Sequence, residues 1–327
     1  MNKITGANPA TAGIQPLGLL AAVGAALCFS IIDLIVKLLS GDYPLYEIVF
    51  LRSLIALTVL LGFIVPLEGG LHVLRTSKLR LHGMRSLAVI FANLMLFTGL
   101  AVMPLANAVA IYFATPLIVT AMSVLFLREK VGPWRWAAVA VGFFGVLIIV
   151  RPGADAFQFT SLLPLAAAFG YASAHILTRR AGGSERGAAL SLYPLLGFLF
   201  VSALVGLTLG DGRFATGDST ALDFIFRAWI WPAQSDYLVI AVLGIAGGFG
   251  GYLIGQAYRL CEAGLVAPFE YVALPLAVLW GVVFFADWPT TNVWIGSTLV
   301  VGSGLVSVWR ELLHKQVPTR PGRRPAG

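Results

Sequence analysis

Glu270 lies inside the apolar run LVAPFEYVALPLAVLWGVVFF, residues 265–285, which holds no basic residue. A charge at a bilayer centre costs about 2.5–3.5 kcal/mol on insertion scales, so this carboxylate must face protein or an internal cavity. On a helix, Ala263, Ala267, Leu274, Ala277 and Gly281 share its face at steps of three and four. Most of these are small, which lets helices approach closely or leaves room for a solute. Chemically, Glu270 is a ligand for a cationic group, a proton site, or a partner for a buried arginine. Arg52, deep in the run 45–66, is the candidate partner; its guanidinium could equally neutralise Asp33 or take a substrate carboxylate in bidentate fashion.

Other polar residues fall within apolar runs. Asp33 and Lys37 stand four apart with the acid first, the better order for a helical ion pair. They read as a self-neutralised pair or as a gate linked to protons. His175 shares a face with Tyr171 and Arg179 at steps of four; an imidazole titrating near neutrality is a proton carrier or an interior hydrogen-bonding group. Asn93, Asn107 and Gln256 can bond neighbouring helices or a solute, and Tyr112 and Tyr271 can wall a cation site. The expected solute-binding set is Glu270, Arg52, Tyr112, Tyr271, Asn107 and Gln256. The expected gating or proton-coupling set is Asp33, Lys37 and His175.

The elements that must position them are transmembrane helices. Of 327 residues, 58% are hydrophobic and 11% charged, against about 25% charged in a soluble domain. The apolar residues form blocks of about 20, the length that crosses a hydrocarbon core. Period-two alternation is absent, which excludes a barrel. Ten cores are expected: 17–39, 45–66, 84–102, 105–127, 133–150, 159–178, 188–209, 236–259, 264–286 and 291–309. The first is longer than the apolar region of a cleaved signal. Cys28 and Cys261 are too sparse for a disulfide framework or a metal site, and no cofactor or metal is expected. The net charge of +7 sits in short loops and the tail, which excludes a folded basic face for nucleic acid.

Loop charge sets the orientation. With both termini cytoplasmic, the inner segments hold Lys3, Arg75 to Arg85, Arg128 to Arg135, Arg179 to Arg186, Arg259, and the tail from Arg310 to Arg324. The outer segments hold only Arg151, Arg213 and Arg227. The longest outer segment contains ALDFIFRAWIWP, too short to cross; Trp229 and Trp231 suit the headgroup layer.

The chain also repeats itself. Sliding Pro116 onto Pro275 brings Ala108 onto Ala267, Tyr112 onto Tyr271, Leu117 onto Leu276, Gly145 onto Gly304 and Arg151 onto Arg310. Each half carries five helices, so the halves run in opposite senses through the membrane. Inverted repeats are the architecture of secondary transporters, with the solute near midplane between the halves. Each matched proline lacks an N–H and frees the carbonyl of the matched tyrosine, so a bend is expected at both. The expected division is a cytoplasmic segment 1–16, repeats 17–151 and 159–310, and a cytoplasmic tail 311–327.

Three stretches carry a family resemblance: IVKLLSGDYPLYEIVFLRSLIA; PLANAVAIYFATPLIVTAMSVLFLREKVGPWRWAAVAVGFFGVLIIVRPG; and GLVAPFEYVALPLAVLWGVVFFADWP. They resemble the drug/metabolite transporter superfamily, ten-helix proteins built from two EamA-type repeats. Lys37, Pro44 and Arg52 look like that family's first two helices, whereas Phe29-Ser30 stands where its Trp-Gly is often found. The resemblance implies a small organic solute, such as an amino acid, S-adenosylmethionine or a drug, and with the compact ten-span form a bacterial inner membrane. The expected protein is an all-α polytopic transporter, monomer or homodimer, with lipid, a solute and protons as partners. An acid and a base in one cavity match an amino-acid-like zwitterion. No Asp-rich motif, His-x-x-x-His or Gly-rich phosphate loop points to an embedded enzyme or an ATP-driven pump.

Overall fold

The computed structural model describes residues 16–128, 132–151, 159–181, 185–215, 217, 220–260, 266 and 269–315. Among them, seven helical runs are long and apolar enough to cross a bilayer, including Pro16–Leu39, Leu45–Glu68, Leu105–Leu127 and Gln234–Ala257. Three shorter apolar helices, Trp136–Val150, Ala273–Phe285 and Thr291–Val306, fill the fifth, ninth and tenth expected positions. No strand occurs among the described residues. In hydrocarbon a helix is the one open segment that satisfies its own backbone, so each apolar run becomes one. Large side chains such as Leu207 and Phe200 are exposed on the outer wall, where lipid covers them.

The helices are α1 (Pro16–Leu39), α2 (Leu45–Val59), α3 (Leu79–Val102), α4 (Leu105–Tyr112), α5 (Thr115–Leu127) and α6 (Pro133–Val150). They continue as α7 (Leu162–Ala181), α8 (Gly187–Leu209), α9 (Thr220–Phe226), α10 (Tyr237–Leu260), α11 (Ala273–Phe285) and α12 (Thr291–Lys315). The third span starts earlier than its apolar core indicates, so Arg80, His82 and Arg85 are helical.

The expected proline bends are two-residue interruptions of the helix. The fourth span stops at Tyr112, turns through Phe113 and Ala114, and restarts at Thr115 with Pro116 in its first turn. Residues 271–272 turn likewise before α11, which carries Pro275 in its first turn. A proline there loses no helical hydrogen bond, because first-turn N–H groups have no intrahelical acceptor. The freed carbonyls find local donors: Thr115 Oγ1 donates to the Tyr112 carbonyl at 2.6 Å, and the Leu274 N–H to the Tyr271 carbonyl at 3.1 Å.

The packing follows the inverted repeat. α1 lies along α10 as α7 lies along α3; α2 meets α10 as α8 meets α3. α2 with α8, and α6 with α12, pair across the pseudo-two-fold itself. At the last crossing the backbones nearly touch. A Cβ added at Gly145 would sit 2.7 Å from the Gly296 carbonyl oxygen, and one at Gly296 would collide with Ile149. The ends of this pair are matched too: Arg310 of α12 lies 3.8 Å from the Trp134 ring of α6, and Arg151 reaches Asn292 of α12.

The outer segment is a strap rather than a free interfacial stretch. Trp229 packs on Tyr46 and Phe50 of α2 at 5.8 Å each, while Trp231 is exposed. Thus Trp229 is a packing wedge on α2. Gly212, at φ 78°, gives the strap its turn, where a Cβ would meet Ala228 at 2.9 Å.

Overpacking a tight crossing costs about 1–3 kcal/mol. Gly145→Leu should therefore lower the melting temperature of the detergent-solubilised protein by several degrees. Gly302→Ala, with open space at its Cβ, should change it little; equal effects would show that the α6/α12 crossing is not a close one.

Candidate functional site

Polar residues from both halves converge between the repeats. Arg52 of α2 is 6% exposed, and its guanidinium lies between the rings of Phe97 (5.2 Å) and Phe198 (5.0 Å). Both aromatic faces attract the cation, which offsets part of its desolvation. Its Nη1 donates to Asn93 Oδ1 at a long 3.5 Å, and its Nε has no hydrogen-bond partner. Asn93 in turn donates to the Tyr171 hydroxyl and to the Val89 carbonyl. The Tyr171 ring stands edge-on to Tyr112, 5.4 Å between centroids.

Asp33 of α1 acts electrostatically on Arg52, Tyr112 and Tyr171, and Glu270 on Tyr112. Asp33, Tyr112, Tyr171 and Glu270 are each half-buried. The arrangement offers a guanidinium with an unsatisfied donor, an amide, two carboxylates and a pair of tyrosine rings. Such a set can hold a planar ring against the tyrosines while polar groups fix its edge. Glu47 does not approach Arg52, as its helical spacing indicates; its Oε2 accepts from the Ile230 N–H instead.

Asp33 lies near Arg52 and Tyr112, and Glu270 near Tyr112 and Tyr271; other expected residues lie apart. Lys37 turns from Asp33 to the end of α3, donating to the Leu100 and Met103 carbonyls at 3.2 and 2.6 Å, with its ammonium over Phe285. The i, i+4 ion pair therefore does not form: unsatisfied helix-end carbonyls hold the ammonium instead. Gln256 lies at the far end of the second span, Leu45–Glu68, bonded to Glu68 and Tyr252, away from the central group. Tyr271 is buried, with its ring 5.3 Å from Phe113 and its hydroxyl against Gly304, whereas its repeat mate Tyr112 is half-buried. Asn107 is half-buried in the first turn of α4. His175 lies one turn below Tyr171 on α7, close to Arg85, which bonds Thr178 and the Leu190 carbonyl at 2.7 Å each.

Tyr171, Phe97 and Phe198 belong to the site and were not expected there. Tyr171 was legible as a face-mate of His175 one turn away. The two phenylalanines look like any other core residue in an apolar run, and only the packing shows that Arg52 lies between them. Trp280 donates to Ser30 Oγ at 2.8 Å, joining α11 to α1 at the position where Phe29-Ser30 replaces Trp-Gly.

The sequence profile of the EamA-like transporter family matches residues 16–151. The riboflavin transporter of Vibrio cholerae is 30% identical over 89% of this chain and 93% of its own length. That of Brucella anthropi is 32% identical over 80% and 87%. The S-adenosylmethionine uptake transporter of Rickettsia prowazekii is 26% identical over 86% and 89%. One crystal structure covers 92% of the chain with a TM-score of 0.65 at 21% identity, a likeness of fold alone.

Lys37 ties α1 to α3, and an ammonium at a helix C-terminus contributes up to about 2 kcal/mol when partly buried. Lys37→Met should lower the melting temperature of the purified protein, with Lys37→Arg intermediate. Equal melting of Lys37→Met and wild type would mean that the two carbonyl bonds contribute nothing.

Proposed function

The chain belongs to the EamA-like transporter family, and on that premise we propose that it is a secondary transporter for riboflavin or a closely similar heteroaromatic solute. The Tyr112–Tyr171 ring pair beside Arg52 and Asn93 carries the reading. An isoalloxazine is a flat tricycle with carbonyl acceptors and an imide donor along one edge. The tyrosines suit its faces. The unsatisfied Arg52 Nε suits a ring carbonyl, since a buried donor left alone costs about 1–3 kcal/mol. The relatives named riboflavin transporters support the same class. Transport by alternating access across a bacterial inner membrane, with both termini cytoplasmic, fits the inverted repeats and the basic loops.

A second reading is favoured by Asp33 and Glu270. Two carboxylates suit a cationic solute, and S-adenosylmethionine joins a sulfonium and an amino-acid zwitterion to a flat adenine. An amino acid would use the Glu270 and Arg52 ends of the site and leave the tyrosine pair without a role, so it ranks behind both.

The test is counterflow in proteoliposomes with labelled riboflavin and S-adenosylmethionine. Wild type should exchange riboflavin. Tyr112→Ala should reduce exchange about tenfold, the loss of about 1.4 kcal/mol of ring contact. Arg52→Lys should reduce it further, because an ammonium cannot replace a planar guanidinium between two rings. Exchange of S-adenosylmethionine without riboflavin, abolished by Glu270→Gln, would establish the second reading. Exchange of neither would remove both.

A further inference from the structure

Two groups of hydrogen bonds lie at opposite ends of the α2/α8 pair, outside the central site. At the outer end, the Tyr43 hydroxyl donates to Asp236 Oδ2 at 2.6 Å and accepts from the Ala233 N–H at 2.9 Å. Arg227 Nη1 donates to the Gly41 carbonyl at 2.6 Å, and Tyr46 donates to the Arg227 carbonyl at 2.9 Å. Beneath them the wholly buried Glu47 accepts from the Ile230 N–H at 3.3 Å. At the inner end, His82 Nε2 lies 2.9 Å from Glu185 Oε2, and Thr76 donates to Glu185 Oε1 at 3.1 Å. Tyr193 donates to the Leu74 carbonyl at 3.2 Å, and Arg186 to the Glu68 carbonyl at 3.3 Å.

The two groups occupy matched places in the repeats. Tyr43 lies two residues before α2, and Glu185 lies two residues before α8. Each bonds a side chain at the start of the third helix of the other repeat. For Tyr43 this is Asp236, immediately before α10; for Glu185 it is His82, in the first turn of α3. The pseudo-two-fold therefore exchanges the groups and places them on opposite faces of the membrane. Both join one repeat to the other through loop and helix-end side chains, which water at the face can re-solvate when the bonds break. The hydrogen bond to Asp236 holds the Tyr43 phenol above the ordinary tyrosine range.

We propose that these are paired clasps, Tyr43–Asp236 outside and His82–Glu185 inside, that open in alternation to admit solute to each face. This rests on the transport reading. A carrier that exposes a central site to one face must part its halves there and keep them joined at the other. Bonds that cross between repeats at the rims are where the parting must occur. The chemistries differ, and the difference makes the faces separable by mutation: one clasp is a phenol on a carboxylate, the other an imidazole on a carboxylate.

The test uses the full-length protein with Cys28→Ala and Cys261→Ala, and then one added cysteine pair. One pair is Tyr43→Cys with Asp236→Cys; the other is His82→Cys with Glu185→Cys. The native side chains are long, so a short bis-methanethiosulfonate linker replaces a direct disulfide and dithiothreitol releases it. Linking either pair should stop riboflavin or S-adenosylmethionine exchange, and reductant should restore it. Linking the inner pair should speed amide hydrogen exchange at Ile230 and Ala233 at least fivefold, and linking the outer pair should do the same at Leu81 and His82. Tyr43→Phe, which removes one hydroxyl, should speed Ala233 exchange without any linker. Undiminished transport with a linker in place, or no effect of one link on the opposite amides, overturns the proposal. Unlinked protein that moves neither solute counts against the transport reading alone, and the amide exchange still decides the clasps.

Discussion

Hydrocarbon supplies no hydrogen-bonding partner, and the architecture of this chain follows from that. A polar group at membrane depth must find a protein partner or reach an internal opening. The backbone meets the demand by forming helices. Where proline breaks a helix, a partner appears within one turn: the Thr115 hydroxyl meets the Tyr112 carbonyl, and the Leu274 N–H meets the Tyr271 carbonyl. At the end of α3 the partner comes from another helix, when Lys37 donates to two carbonyls. Arg52 Nε is a buried donor that finds no hydrogen-bond partner in the protein.

The inverted repeat turns one set of packing solutions into two. Helix pairs recur across the pseudo-two-fold, and the α6/α12 crossing depends on Gly145 and Gly296 approaching backbone to backbone. Function requires the copies to diverge. Tyr112 is half-buried with its ring edge-on to Tyr171, whereas Tyr271 is buried against Phe113 and Gly304. Each repeat supplies one ring and one acid, Tyr112 and Asp33 from the first and Tyr171 and Glu270 from the second.

Arg52 anchors the site through a balance of opposing terms. Burial of a guanidinium is costly, and no carboxylate takes it in an ion pair among the described residues. Phe97 and Phe198 hold its faces, and Asn93 holds one nitrogen at a long distance. The cation is thus fixed in position while retaining hydrogen-bonding capacity. A close ion pair would have neutralised it and consumed that capacity. Asp33 nearby moderates its charge without closing on it.

Much of this was legible in the sequence by itself. The ten helices, their inversion and the two break points follow from apolar run length, loop charge and the matched Tyr-x-x-x-Pro spacing, because membrane insertion is governed by local hydrophobicity. Asp33, Arg52, Tyr112 and Glu270 were legible as well, since charge inside an apolar run is rare enough to need a reason. Tertiary structure alone decided how these groups pair. Lys37 is four residues from Asp33 yet bonds α3; Gln256 is as polar as Asn93 yet lies at the inner rim; Tyr43 meets Asp236 nearly two hundred residues away. Helical periodicity assigns a residue to a face, but the crossing of helices determines which face it meets, and a hydrogen bond is made or lost within an ångström.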